Sequence, residues 1–199
     1  AYHMPAGKRI HGALDAEALR RAFEGVVHRH EILRTTFPAP GGLPRQRIAP
    51  PARWELPLDD LSALPEPLRH DQLHRISRDD AARPFDLETG PVLRTRLVRL
   101  AGNDHVVLVT MHHIVSDGWS LDVWWREVAA LYDCHRRGRP VVLAPLALSY
   151  ADAAAQQRAA LTGDVLAGHL AFWKQHLAGA PAETALPRKA ARRSHTTGV

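Results

Sequence analysis

Apolar residues recur at helical spacing through Leu14, Ala18, Leu19, Ala22, Phe23, Val26 and Val27, which predicts a helix from a cap at Asp15 to His30 with one face turned to a core. A strand-like stretch precedes it. Ile32 to Phe37 turns toward extended structure, the Pro- and Gly-rich run 38–42 is a loop, and short strands are expected over 45–48 and 54–58. Residues 67–82 form a polar surface helix. Two runs rich in Val, Leu and Thr, 91–100 and 104–113, flank Ala101-Gly102-Asn103 and predict an antiparallel hairpin. The second run is the most apolar in the chain and is therefore expected to be central.

A turn at Ser116-Asp117-Gly118-Trp119 follows, in which Gly118 is expected to take an unusual backbone angle. A helix capped by Ser120 comes next, with Leu121, Trp124, Val128 and Leu131 on one face and Gly138 at its end. Helices over 149–161 and 164–178 complete the pattern, the last with Leu166, Leu170, Trp173 and Leu177 as its stripe. Mixed elements around a hairpin-bearing sheet predict an α+β sandwich.

The chain has 199 residues, enough for one sizeable domain or lobe without disulfide or metal staples. At 45% apolar and 24% charged, its composition is that of a globular protein rather than a disordered or coiled-coil one. No apolar run reaches about 18 residues, so no membrane span is expected. A single cysteine, Cys134, and the lack of a basic, apolar leader point to a reducing, cytoplasmic setting. Both ends look cut, so a fragment of a longer polypeptide is expected.

Net charge is +5, carried almost wholly by arginine, since the lysines are Lys8, Lys174 and Lys189 alone. The arginines alternate with acids, as in Arg78-Asp79-Asp80 and Arg126-Glu127, and this argues against a nucleic-acid face. The basic cluster Arg188 to Arg193 lies in a Pro-, Ala- and Thr-containing tail and reads as a solvated connector.

The candidate chemistry sits at the end of the central strand. Alternation places His105, Val107, Val109, Met111 and His113 on one face and Val106, Leu108, Thr110 and His112 on the other. Adjacent histidines that face opposite ways do not chelate one metal together. One imidazole is expected to pack inward while the other looks into a cleft. Histidines at a strand end are ordinarily packing residues, but here Asp117 follows at a fixed spacing.

That spacing, His112-His113-Ile114-Val115-Ser116-Asp117-Gly118, matches the His-His-x-x-x-Asp-Gly signature of the chloramphenicol-acetyltransferase-like acyl transfer superfamily. Within it, MHHIVSDGWS (Met111 to Ser120) closely resembles the core motif of nonribosomal peptide synthetase condensation domains. RHEILRTTF (Arg29 to Phe37) is similar to the family's second motif, RPFDLETGPVLR (Arg83 to Arg94) to the segment before its hairpin, and YADAAAQQR (Tyr150 to Arg158) to a later motif. In the last, Ala153 stands in place of an aromatic and Gln156 in place of Trp. The family's opening motif and its whole second lobe are missing.

The resemblance implies a chloramphenicol-acetyltransferase-like lobe, a mixed or antiparallel sheet flanked by helices that makes half of a two-lobe pseudo-dimer. Residues 1–180 would be the N-terminal lobe and 181–199 a connector toward the absent C-terminal lobe. It implies amide bond formation between a donor acyl or peptidyl thioester and an acceptor aminoacyl thioester. Both substrates ride on phosphopantetheine arms of peptidyl carrier proteins, beside an adenylation domain of the same synthetase. No intrinsic cofactor or metal is implied, and SDGWS resembles the subtype joining L donors to L acceptors.

His113 matches the family's catalytic histidine. A free imidazole, with a pKa of about 6.5, suits either taking the amine's proton or orienting the amine. His112, Asp117 and Gly118 are implied supports of the site, with Asp117 paired to Arg34 of the second motif and Arg29 a further support. Backbone N–H groups of Gly118 to Leu121 offer a candidate oxyanion site. Ser116 lacks a nucleophile elbow and reads as a turn residue; His28 and His30 read as packing, and His70 and His74 lack a third metal ligand. Two alternatives remain: a related His-x-x-x-Asp acyltransferase with an alcohol or fatty acyl partner, and a non-catalytic recruitment or remnant module.

Overall fold

The computed structural model describes residues 2–141 and 143–182. The basic cluster Arg188 to Arg193, and all but the first two residues of the expected connector, lie outside them. The chain divides into two compact units, Ala1–Ala154 and Ala155–Val199.

The first unit carries a four-stranded sheet in the order β1-β6-β5-β4. Its strands are β1 (His3–His11), β4 (Leu58–Asp60), β5 (Leu93–Ala101) and β6 (Asp104–His112). β6 lies between β1 and β5 and is antiparallel to both, while β4 runs parallel to β5. The fold is thus α+β with a mixed sheet, and the most apolar strand is interior because both its faces are covered. β2 (Thr35–Thr36) and β3 (Arg47–Ile48) form a separate two-stranded ribbon.

Alternation along β6 sorts its side chains into two cores. Val107, Val109 and Met111 join Phe23, Val26, Trp124 and Val128 from α1 (Ala16–Arg29) and α3 (Gly118–Arg136). Val106 and Leu108 face the other way, with Val98 and Leu100, toward Leu73 and Ile76 of α2 (Glu66–Ala82). α1 starts at Asp15, whose carboxylate accepts the Ala18 N–H at 2.9 Å. Across the first core, Phe23 stacks on Trp124 with ring centroids 5.3 Å apart.

Three expectations shift. Glu31–Arg34 forms a 3₁₀ turn, so the extended segment after α1 shrinks to Thr35–Thr36. The strand expected over 54–58 pairs instead at Leu58–Asp60, while the backbone N–H of Trp54 is taken by the Glu24 carboxylate of α1 rather than by a strand, and its indole N–H by the Thr95 hydroxyl of β5. Only Arg47 and Ile48 of the stretch 45–48 are paired.

α4 (Tyr150–Ala160) buries no side chain. The second unit holds the C-terminal part of α4 and then α5 (Gly163–His176). Leu166, Leu170, Trp173 and Leu177 of the expected stripe are 40–57% exposed. Among the described residues no helix is long and apolar enough to cross a membrane.

Candidate functional site

Strand pairing ends at His112, opposite His3 of β1, one residue earlier than the alternation suggested. His113 therefore stands in the turn after β6 and is not committed to the Val107 and Met111 face. Its side chain is exposed, and its backbone N–H donates to the Tyr2 carbonyl at 2.8 Å. Its imidazole makes no hydrogen bond among the described residues.

His112 is half-buried and faces the α2 side, with its ring centroid 6.2 Å from that of His3 and 5.9 Å from that of Phe85. Its Nδ1 accepts the Ile114 N–H at 3.0 Å. Burial, followed by the nearby His3 and His113 charges, holds its pKa below the ordinary imidazole value. A neutral ring that accepts at Nδ1 carries its proton on Nε2. His112 is thus the fixed member of the pair and His113 the free one.

Asp117 does not pair with Arg34. Its Oδ1 accepts the Ser120 N–H at 2.7 Å, while its own N–H donates to the Ser120 hydroxyl at 2.8 Å. This reciprocal capping box makes Asp117, not Ser120, the N-cap of α3, with Ser120 the third helical residue. The backbone and then the hydroxyl hydrogen bonds from Ser120 hold the exposed carboxyl below its usual pKa. Arg34 turns elsewhere, to the Ala49 carbonyl and to Glu31 at 3.3 Å, because the 3₁₀ turn aims it at the β2–β3 ribbon.

Gly118 has no positive φ, contrary to expectation; it is the first helical residue, and the chain bends at the extended Asp117 instead. A Cβ at Gly118 would meet nothing within 4 Å. Of the four candidate oxyanion donors, Ser120 and Leu121 are already committed to Asp117, the latter through a 3.1 Å bond to its carbonyl. Only Gly118 and Trp119 remain for such a role.

The ionic clasp near the site is a different one. Glu127 of α3 receives Arg29 Nε at 3.2 Å and stands 2.6 Å from His30 Nε2, and Arg29 also donates to the Ala144 carbonyl at 2.5 Å. Sequence reasoning missed Glu127. The available signal was its position between the core residues Trp124, Val128 and Leu131, which puts a carboxylate on the flank of a buried stripe.

Ser116 is buried, and its hydroxyl donates to the His112 carbonyl at 3.1 Å, as suits a turn residue. His28 Nε2 lies 2.9 Å from the Ala52 carbonyl. Cys134 is a half-buried thiol on α3. Among the described residues no group of three or more His, Cys, Asp or Glu is placed to hold a metal ion. Beside the turn lies an apolar cavity of about 170 Å³, lined by Leu33, Met111, Val115, Trp119 and Trp124 with His30 at its edge.

A family model described as Condensation domain matches residues 1–198. Malpibaldin synthetase of Mortierella alpina is 42% identical over 186 residues, which are 94% of this chain and 3% of that protein. Phosphinothricin tripeptide synthetase PhsC of Streptomyces viridochromogenes is 41% identical over 186 residues, 94% of this chain and 17% of that protein. Among solved structures, the X-domain from teicoplanin biosynthesis superposes with a TM-score of 0.84 at 35% identity, over 96% of this chain and 42% of that one. The first condensation domain of the CDA synthetase gives 0.77 at 26% identity, over 94% and 47%. The chain spans under half the length of these solved chains and a small part of the synthetases.

Proposed function

The chain belongs to the condensation-domain family, and on that premise we propose that it is the N-terminal lobe of a cytoplasmic domain that makes amide bonds in nonribosomal peptide synthesis. The observation that carries this reading is the exposed His113 imidazole, on a turn whose backbone is pinned while the ring itself is free.

The substrates are a donor acyl or peptidyl thioester and an acceptor aminoacyl thioester, each brought by a peptidyl carrier protein on a phosphopantetheine arm. An adenylation domain of the same synthetase supplies the activated amino acid. The acceptor nitrogen attacks the donor carbonyl carbon, the C–S bond breaks, and the proton lost by nitrogen passes to the departing thiolate. His113 acts on the amine. An α-amino group has a pKa of about 7.7–8.0, so part of it is neutral near pH 7 and an imidazole suffices. Proton transfer at that point typically contributes about 10² to 10⁴ in rate. The SDGWS sequence supports an L donor joined to an L acceptor.

The test is acyl transfer by the polypeptide that unites this lobe with a C-terminal lobe, using carrier-bound amines and free alcohols side by side. Amide formation that His113→Ala abolishes is expected, and preference for alcohols would assign the chain to a different acyltransferase reaction. The 199-residue chain by itself is expected to show no turnover, since in this reading the reacting groups meet between two lobes.

A second reading has one observation in its favour. A teicoplanin X-domain, 36% identical to this chain, was solved in complex with OxyB. On that reading the chain recruits a partner protein and His113→Ala changes nothing.

A further inference from the structure

We propose that Phe85 and Arg94 are positioning residues for His113, acting through the ring of His112. The inference rests on the reading of His113 just given, and begins from a stack of groups on the α2 face of the sheet.

Phe85 follows the end of α2 and meets two imidazoles edge-on. Its centroid lies 5.1 Å from that of His3 at 90° and 5.9 Å from that of His112 at 89°. Perpendicular contacts of this kind favour one ring orientation over others. His3 is anchored in turn, because its Nδ1 lies 2.7 Å from the Ala81 carbonyl. His112 is thus held between a tethered imidazole and a phenyl ring.

Arg94 of β5 holds the phenyl ring. Its guanidinium carbon sits 3.8 Å from the Phe85 centroid, and the same group donates to the carbonyls of Asp80 at 2.9 Å and Arg83 at 2.8 Å. The Asp80 carbonyl is in the last turn of α2, where carbonyls lack helical partners, and Arg83 is the residue that caps that helix. The Asp80 carboxylate lies 3.8 Å from Arg94 Nε and accepts the Thr110 hydroxyl at 2.7 Å. Both charged side chains are nearly buried, at 11% and 9% exposure. A planar group is required here, since it must cover a ring and reach several carbonyls at once.

The consequence reaches His113 through the backbone. The Ile114 N–H is directed at His112 Nδ1, and the His113 N–H at Tyr2. The peptide unit before the His113 Cα is held by its N–H and by the His112 carbonyl, which accepts the Val115 N–H and the Ser116 hydroxyl at 3.1 Å each, and the unit after it is held by the Ile114 N–H. One of those bonds lasts only while the His112 ring keeps its plane and its Nδ1 lone pair. Arg94 sets Phe85, Phe85 sets His112, and His112 sets the turn that presents His113.

The test compares the full chain with Phe85→Leu, Phe85→Tyr and Arg94→Lys. It follows the imidazole nitrogens of His112 by NMR and amide hydrogen exchange at Ile114 and Val107. The native chain and Phe85→Tyr are expected to show one His112 tautomer, protonated at Nε2, and a protected Ile114 amide. Phe85→Leu and Arg94→Lys should mix the tautomers and speed exchange at Ile114 by about tenfold while Val107 in the interior of β6 is unaffected. Unchanged tautomer and exchange in a folded variant would overturn the proposal, as would equal acceleration at Ile114 and Val107, the mark of a merely structural role. Should Phe85→Leu fail to fold, Arg94→Lys decides, since it keeps the charge and loses the flat fork. In the two-lobed polypeptide Phe85→Leu and Arg94→Lys, but not Phe85→Tyr, should lower kcat by about tenfold at constant KM, and a change in KM alone would equally refute the brace. The NMR result needs no reaction, so its failure sinks the brace, whereas a native two-lobed protein that makes no amide sinks the functional reading alone.

Discussion

The Glu127 carboxylate stands 2.6 Å from His30 Nε2 and so ties the last turn of α1 to the middle of α3. Arg29 joins the same carboxylate, and the side chains of Arg29 and Glu127 are only 19% and 14% exposed. The second motif is thereby anchored to the helix that follows the histidine turn. Glu127→Ala leaves a largely shielded guanidinium without its acid, and is expected to cost about 1.5–3 kcal/mol of stability by urea unfolding. Glu127→Gln should cost less. A loss below about 0.5 kcal/mol, the level of ordinary surface changes, would deny the clasp its structural part.

Asp117 and Arg34 have separate partners, so their contributions should be independent. Asp117→Ala removes the α3 cap and should lower the melting temperature, whereas Asp117→Asn retains an acceptor for the Ser120 N–H and should largely preserve it. Arg34→Ala should lower it through the Ala49 and Glu31 contacts. The double variant is expected to show the sum of the two shifts. Marked non-additivity would restore the ion pair that the family resemblance implied.

Gly118 leaves open space where a side chain would stand, and its backbone is helical. Gly118→Ala should therefore fold as well as the native chain or better, since alanine is the stronger helix former. In the two-lobed polypeptide it should still slow amide formation, because a methyl group would project beside the turn that carries His113. Full activity would show that no substrate passes there.

Acid should destabilise the chain in two stages. Burial lowers the pKa of His105, His112 and His135, with Arg99 adding to the effect at His105. Between those lowered values and about 6.5 the unfolded chain binds more protons than the folded one, so stability rises with pH through that window. It is complete above about 6.5 and is lost as the pH falls through the folded values. The lowered carboxyls of Asp86, Asp104 and Asp117 add a further loss below about pH 4. Melting temperatures measured from pH 5 to 8 should decline below about 6.5, and less so in His105→Gln. A flat profile across that range would contradict the burial of these rings.

Local pattern determined a good deal of this protein. The stripe from Leu14 to Val27, the hairpin around Gly102-Asn103 and the two-faced strand before His112 were all legible, because helical and strand periods record which side of an element is dry. The motif spacing also located the histidine turn, since a strand end, a cap and a helix start are close in sequence.

Tertiary structure alone decided which groups brace that turn. The resemblance paired Asp117 with Arg34, but a carboxylate at a helix N-terminus finds the nearby Ser120 N–H before it finds a distant guanidinium. The Glu127 clasp and the Arg94, Phe85 and His112 stack join residues from separate elements. Periodicity says which face a side chain occupies; it carries no information on which side chain of another element will face it. Only the packing of the helices on the two sides of the sheet supplies that.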